Sequence, residues 1–333
     1  MRKERRTFLK TTVGAAAGLA AWPALNRITM AQEPPATQAN VGNRPFFGVE
    51  YALELDKEPM GFIAEGGKAA SDEAEQQQGA ERIQHKHIPG VKFEAITFKC
   101  GAGLAKGFYS WLAATISGRT ERRDGAIHMV DSRNIIVNTL TFHQALVSEI
   151  GFPAVNARSK DREWLTIKVE PESTSMAPAT GKLDVSRFSR GKRWLASDFR
   201  LTIDGVSCGN VIDGIHCAAG TSIQDFSFKQ KAVENDVAEQ RINEKAPANV
   251  EMPNLVMTLP EAKAGDFLKW QQQKPDKNGM PVEKNGMLEY LTPDLATTIF
   301  QLDFRSLGIF KIVHNLSEVA VSMYMGSANF TVS

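Results

Sequence analysis

The 333-residue chain has three cysteines, almost no excess of either charge, and no apolar run long enough to cross a membrane. Each scarcity excludes something. Cys100, Cys208 and Cys217 are odd in number, so a closed disulfide framework is ruled out. Their spacing leaves open a Cys208–Cys217 pair in an oxidising compartment, beside the plainer reading of three small buried hydrophobes. The longest apolar stretch, 11–25, falls short of the roughly 20 residues a spanning helix needs. Lys and Arg total 39 against 38 Asp and Glu, which removes the usual electrostatic argument for a nucleic-acid partner.

The short signatures of catalysis are missing too. There is no GxxxxGK followed by Ser or Thr, no GxGxxG between a strand and a helix, and no GxSxG elbow. The run GAGLAKG (101–107) has the wrong spacing for a phosphate loop, and its Lys106 lies inside an amphipathic helix pattern. His85 and His87 have no acidic or thiol ligand at a metal spacing, and HExxH, CxxC and CxxCH are absent. His128, His143, His216 and His314 stand apart from one another. Asp72, Glu73, Glu75 and Glu81 form a charge run on a polar stretch, a solvated or partner-contacting face rather than a catalytic pair. No catalytic, cofactor or metal residue is assigned, and the chain is read as a non-enzyme.

What is present begins with asymmetry. Residues 1–31 carry Arg2, Lys3, Arg5, Arg6, Lys10 and Arg27 against Glu4, a net of +5, which leaves −4 on the other 302 residues of a +1 chain. A basic start, an apolar Ala/Gly-rich stretch, and Thr29 and Ala31 ahead of Gln32 follow the order of an export signal. Arg5-Arg6 with Phe8, Leu9 and Lys10 resembles the twin-arginine signal, although Glu4 stands where Ser or Thr is commoner. The expectation is a signal at 1–31, a leader at 32–45, and a periplasmic or extracellular mature chain with no stable membrane span. The twin-arginine route carries folded protein, which suits either a cofactor loaded before export or a chain that folds quickly.

From residue 46 the pattern runs twice. Phe47, Val49, Tyr51, Leu53 and Leu55 alternate with Gly48, Glu50, Ala52 and Glu54, the mark of a half-buried strand. From 56 to about 86 the composition is polar and without apolar periodicity, read as a long loop or projecting hairpin, and then comes a strand, VKFEAITFKC. A helix is expected over about 103–117, with Leu104, Phe108, Trp111, Leu112, Thr115 and Ile116 on one face and Gly118 as its stop. Two strands around the 131–134 turn and WLTIKVE (164–170) close the set. Residues 171–190, rich in Pro, Ser and Thr, read as the body of a linker at 171–195.

The order then recurs. Phe199, Leu201 and Ile203 form a strand face, and a polar stretch at 229–251 sits where the first long loop sat. Phe267 and Trp270 answer Phe108 and Trp111 at an offset of 159, and Phe304 answers Phe142 at 162. VAVSMYMG is read as the last strand. The fold class is α+β: two tandem, mostly antiparallel β-barrel or sheet domains, 46–170 and 196–333, each with one covering helix.

The first copy resembles the tail tube proteins of contractile phage tails, relatives of the inner-tube protein of type VI secretion. The resemblance rests on Pro89-Gly90, on Lys99 and Gly101 at a strand end, and on Phe108 and Trp111 in the helix. Arg122-Arg123 leading into a strand that begins at Gly125 completes it. It covers about 46–170 well and 196–333 more weakly, since Leu259-Pro260-Glu261 replaces the Lys-x-Gly pattern and Gln271 and Pro275 weaken the second helix. Such a resemblance implies a structural subunit that self-associates into six-fold rings stacked as tubes, its long polar loops touching the next ring. With two domains per chain, a ring would close as a trimer. The alternative is a monomeric periplasmic binder of a small ligand or metal on the same scaffold; a third, an exported enzyme, finds no residues to carry it.

Overall fold

Period-two alternation puts apolar side chains on one face of a strand and polar ones on the other, so each alternating run has one face to bury. The computed structural model describes residues 49–64, 93–206, 220–231, 249–274 and 281–332. The first half holds β1 (Glu50–Leu55), β2 (Glu58–Ile63), β3 (Ile96–Cys100), α1 (Lys106–Ile116), β4 (Arg123–Val130) and β5 (Ile136–Phe152). It continues with β6 (Val155–Asn156), β7 (Arg162–Glu163), β8 (Leu165–Glu170) and β9 (Ser173–Pro178), and β10 (Trp194–Leu195) follows a crossing segment. The second half holds β11 (Phe199–Ile203), β12 (Ser222–Ile223), β13 (Phe226–Lys231), β14 (Asn249–Glu251) and β15 (Leu255–Pro260). After these come α2 (Gly265–Gln271), β16 (Lys284–Leu291), β17 (Thr298–His314), β18 (Glu318–Tyr324) and β19 (Ser327–Val332). The architecture is mostly antiparallel β with two α-helices, as the alternation predicts.

The two halves pair their strands by one scheme. In the first, β1 joins β4, β4 joins β5, β5 joins β8 and β9, and β8 joins β3, all antiparallel. In the second, β11 joins β16, β16 joins β17, β17 joins β18 and β19, and β18 joins β15. Even the irregularities recur. The register shifts between Arg123 and Gly125 and again between Lys284 and Gly286. It shifts between Val147 and Glu149 and again between Ile309 and Lys311. Positive φ angles fall at Asn134 and Gln144 in one half and at Leu295 and Ser306 in the other. Bulges bend a strand and increase its twist, which is how a single 17-residue strand serves two sheets in turn.

The described residues fall in one compact unit, and one apolar core runs through both halves. Helix α1 lies against β2 and β5 of its own half and against β19 of the other. Tyr109 on α1 meets Phe300 on β17 with ring centroids 5.6 Å apart. Trp194, Tyr290, Phe152 and Phe330 continue that aromatic seam.

Five local expectations need correction. The polar stretch read as a loop from 56 opens with β2, which pairs with β1 and buries Met60, Phe62 and Ile63; 65–92 lies outside the described residues. Helix α1 begins at Lys106 rather than near 103, because Ala102 exchanges both backbone hydrogen bonds with Lys192 and Ala105 N donates to Met60 O. Much of the Pro/Ser/Thr stretch read as linker is structured: β9 pairs with β5, and Leu183 and Phe188 pack with Ala52, Phe62 and Val130. The chain does not end its strands at β18, since β19 follows. The polar stretch at 229–251 is strand at both ends, β13 and β14, while 232–248 lies outside the described residues.

Candidate assembly surface

The residues singled out in the sequence divide into buried anchors and sheet fittings. Phe108 and Trp111 are fully buried, with Phe108 tilted against Phe98 at 6.2 Å. Phe267 and Trp270 are buried as well, 6.4 Å apart. Trp111 Nε1 donates to Glu121 O at 2.8 Å, and Trp270 Nε1 donates to Val282 O at 2.7 Å. Each indole therefore ties its helix to the segment that leads into the next strand, β4 or β16. Gly118, at φ +78°, takes the left-handed position that ends α1.

Gly125 is opposite Phe142 across the β4–β5 ladder, as Gly286 is opposite Phe304. A Cβ on Gly125 would run into the Phe142 ring and sit 2.7 Å from Glu54 O. One on Gly101 would lie 2.5 Å from Lys192 O, so that glycine lets the 190–192 segment approach the end of β3. Lys99 is on β3, half-buried, on the wall of a groove described below. Arg122 donates to Gln144 O (2.8 Å) and pairs with Glu172 (3.3 Å). Arg123 reaches Asp56 and Glu121. The two arginines thus have partners within the chain and brace the β4–β5 bulge. Asp124 accepts from Gln144 N at 2.8 Å, and that bond holds its carboxyl below the usual carboxylate range. Arg5, Arg6, Pro89, Gly90, Cys208, Cys217, His85, His87 and His216 lie outside the described residues.

Burial pushes the Cys100 thiol far up, so it remains a protonated packing group. Among the described residues no three His, Cys, Asp or Glu side chains converge to hold a metal. His128 sits between Thr139 (2.9 Å) and Glu54 (3.3 Å) across three strands, β5, β4 and β1. Among the described residues no helix is long and apolar enough to cross a membrane.

Two surfaces remain. One is an open groove of about 980 Å³ over the outer face of β3, β8, β5 and β13. Its charged walls are balanced: Lys99, Arg162, Lys168 and Lys229 against Glu149, Glu163, Asp225 and Glu251. It therefore selects no ligand of one sign. The other surface is the set of strand edges. The outer side of β2 is closed by Ser189 and Arg190. The second half of β9 is exposed, Met176 included, and so are several residues at the end of β17.

Residues 49–174 match the family described as T4-like virus tail tube protein gp19. That stretch takes in β1 to β8 and both aromatic anchors of α1. No curated protein matches the chain. A similar solved chain belongs to a cryo-EM structure of the anti-feeding prophage baseplate, six-fold symmetrised. It is 13% identical, the match covers 44% of this chain and 98% of that one, and the TM-score is 0.30.

Proposed function

We propose that the chain is an exported, non-enzymatic structural subunit, a tandem duplicate of a tail-tube-like unit (46–170 and 196–333) that self-associates into rings or tubes. The observation that carries this reading is the strand-pairing scheme of the first half, which lies in the tail tube match, recurring with its bulges in the second half. The tail tube resemblance brings six units to a ring, and two units per chain make that ring a trimer with pseudo-six-fold symmetry. A trimer also suits heterologous contacts, which close into rings when the rotation permits.

Native mass spectrometry of the purified protein tests the stoichiometry. Three chains are expected; monomer alone, or a six-chain ring, contradicts it. A monomer would favour the second reading, a small-ligand binder using the groove over β3, β8, β5 and β13. Export is tested separately. Replacing Arg5 and Arg6 together with Lys should leave the unprocessed chain in the cytoplasm on cell fractionation, and undiminished export of that variant would end the twin-arginine assignment.

A further inference from the structure

The floor of the groove over β3, β8, β5 and β13 contains a glycine whose surroundings leave room for a side chain. Gly151 on β5 is paired on both sides, with Thr166 on β8 and with Ser227 on β13. The nearby register shift falls between Val147 and Glu149, so no bulge requires it. Its φ lies outside the left-handed region, and a Cβ there would meet nothing closer than Thr166 Cβ at 3.4 Å. The second half fills the same place. The shared bulge aligns Gly151 with Val313, and its partner Thr166 with Ala320. A glycine inside a strand weakens it, and where no bulge asks for one it marks a close approach from outside.

The groove runs across the strands rather than along them. Lys99, Thr166, Gly151 and Ser227 are successive partners on the four strands and make its floor. Strands about 4.8 Å apart put the ends of that row roughly 15 Å from each other. One wall is the next paired row, Lys168, Glu149, Lys229 and Glu251, whose signs alternate from strand to strand. Lys229 reaches Glu149 at 3.9 Å, so this wall largely neutralises itself. The opposite wall carries Trp164 and Pro153, with Arg162 and Asp225 again of opposite sign. Arg193 backs the half-buried indole of Trp164, its guanidinium carbon 5.5 Å from the ring centroid, and holds it in place.

We propose that this groove binds a neutral oligosaccharide, seated over Gly151 with one sugar ring against Trp164. Other ligand classes fit less well. A peptide strand needs a free sheet edge, and β8, β5 and β13 have both edges taken. A nucleic acid or an acidic polymer would meet Glu149, Glu163 and Asp225 beside the lysines. A lipid needs a continuous apolar lining, whereas hydroxyl groups flank the glycine on this floor. A neutral sugar chain uses what is there. Thr166 and Ser227 offer hydroxyls that both donate and accept, and the indole offers an apolar face with an N–H at its edge. Charged side chains of both signs bond sugar hydroxyls without requiring a net charge on the ligand. Every residue named belongs to one chain, so the site does not depend on the assembly reading.

Isothermal titration of the purified chain with maltotetraose, cellotetraose, xylotetraose and N-acetylated chitotetraose tests the site, with tetragalacturonate as the charged control. At least one neutral tetrasaccharide is expected to bind with a Kd of about 1 mM or tighter, and more tightly than tetragalacturonate. Gly151→Val, which fills the floor, should keep the wild-type thermal melt and weaken that binding about tenfold or more. Trp164→Ala should weaken it to a similar degree. Val313→Thr, at the equivalent place in the second half, should leave it unchanged. The proposal is overturned if none of the four neutral sugars binds, or if tetragalacturonate binds as tightly as the best of them. It is overturned equally if either groove variant, folded by its melt, binds like the wild type. Native mass spectrometry of the same samples keeps the two readings apart, since rings can form or fail whichever way the titration goes.

Discussion

Trp111→Ala is expected to lower unfolding free energy by about 3–5 kcal/mol, the range for removing a large aromatic from a packed core. The indole is fully buried, and it does two jobs at once. Its ring fills the space between α1 and the sheet, and its Nε1 satisfies Glu121 O at 2.8 Å. Truncation leaves a cavity and a carbonyl without its donor, so the two losses add. Trp111→Phe separates them. It keeps most of the apolar volume and should cost less than the alanine change, with about 1 kcal/mol of that cost from the hydrogen bond. Trp270→Ala is expected to be nearly as damaging, because Trp270 repeats both contacts on the shorter helix α2. Urea melts of the four proteins decide the matter; a loss below 1 kcal/mol for Trp111→Ala would mean the indole does not anchor the helix.

The second large effect is expected at Gly125. Alanine there has nowhere to place its methyl group, which would meet the Phe142 ring and approach Glu54 O to 2.7 Å. Phe142 is itself fully buried, so the ring cannot swing into solvent. Overpacking of this kind costs about 1–3 kcal/mol. Gly286→Ala should cost less, since the nearest atom is the tip of the Leu307 side chain at 2.9 Å rather than a buried ring. Combining Gly125→Ala with Phe142→Leu should cost less than the two single changes summed, because the smaller side chain vacates the space that the methyl group needs. Strict additivity in the thermal or urea melts would show that the glycine serves something other than the ring.

Much of the framework was legible in the sequence because it depends on local periodicity. β1, β11 and α1 stand where alternating or helical apolar positions place them, and all six apolar-face residues named for α1 are buried. The offset between Phe108 and Phe267 disclosed the repeated order before any contact was known. What escaped was set by partners distant in the chain. β9, STSMAP, has no apolar alternation and exists because it hydrogen-bonds along β5. β13 straddles the start of the polar stretch: Phe226 and Phe228, which pack on Phe152, precede it, and only the polar end of the strand, from Lys229, falls inside it. The arginine pair stood out only through the tail tube resemblance, and its partners lie as far away in the chain as Asp56 and Glu172. Composition reports a solvated face equally well whether the edge beside it is paired or open.

The account stands or falls on self-assembly. Electron microscopy of the purified mature protein tests it most directly. Ring-shaped particles, singly or stacked as tubes, whose class averages show six similar lobes in a three-fold arrangement, are the predicted result. A uniform field of single compact particles of one chain each, at the highest concentration the protein tolerates, would contradict it.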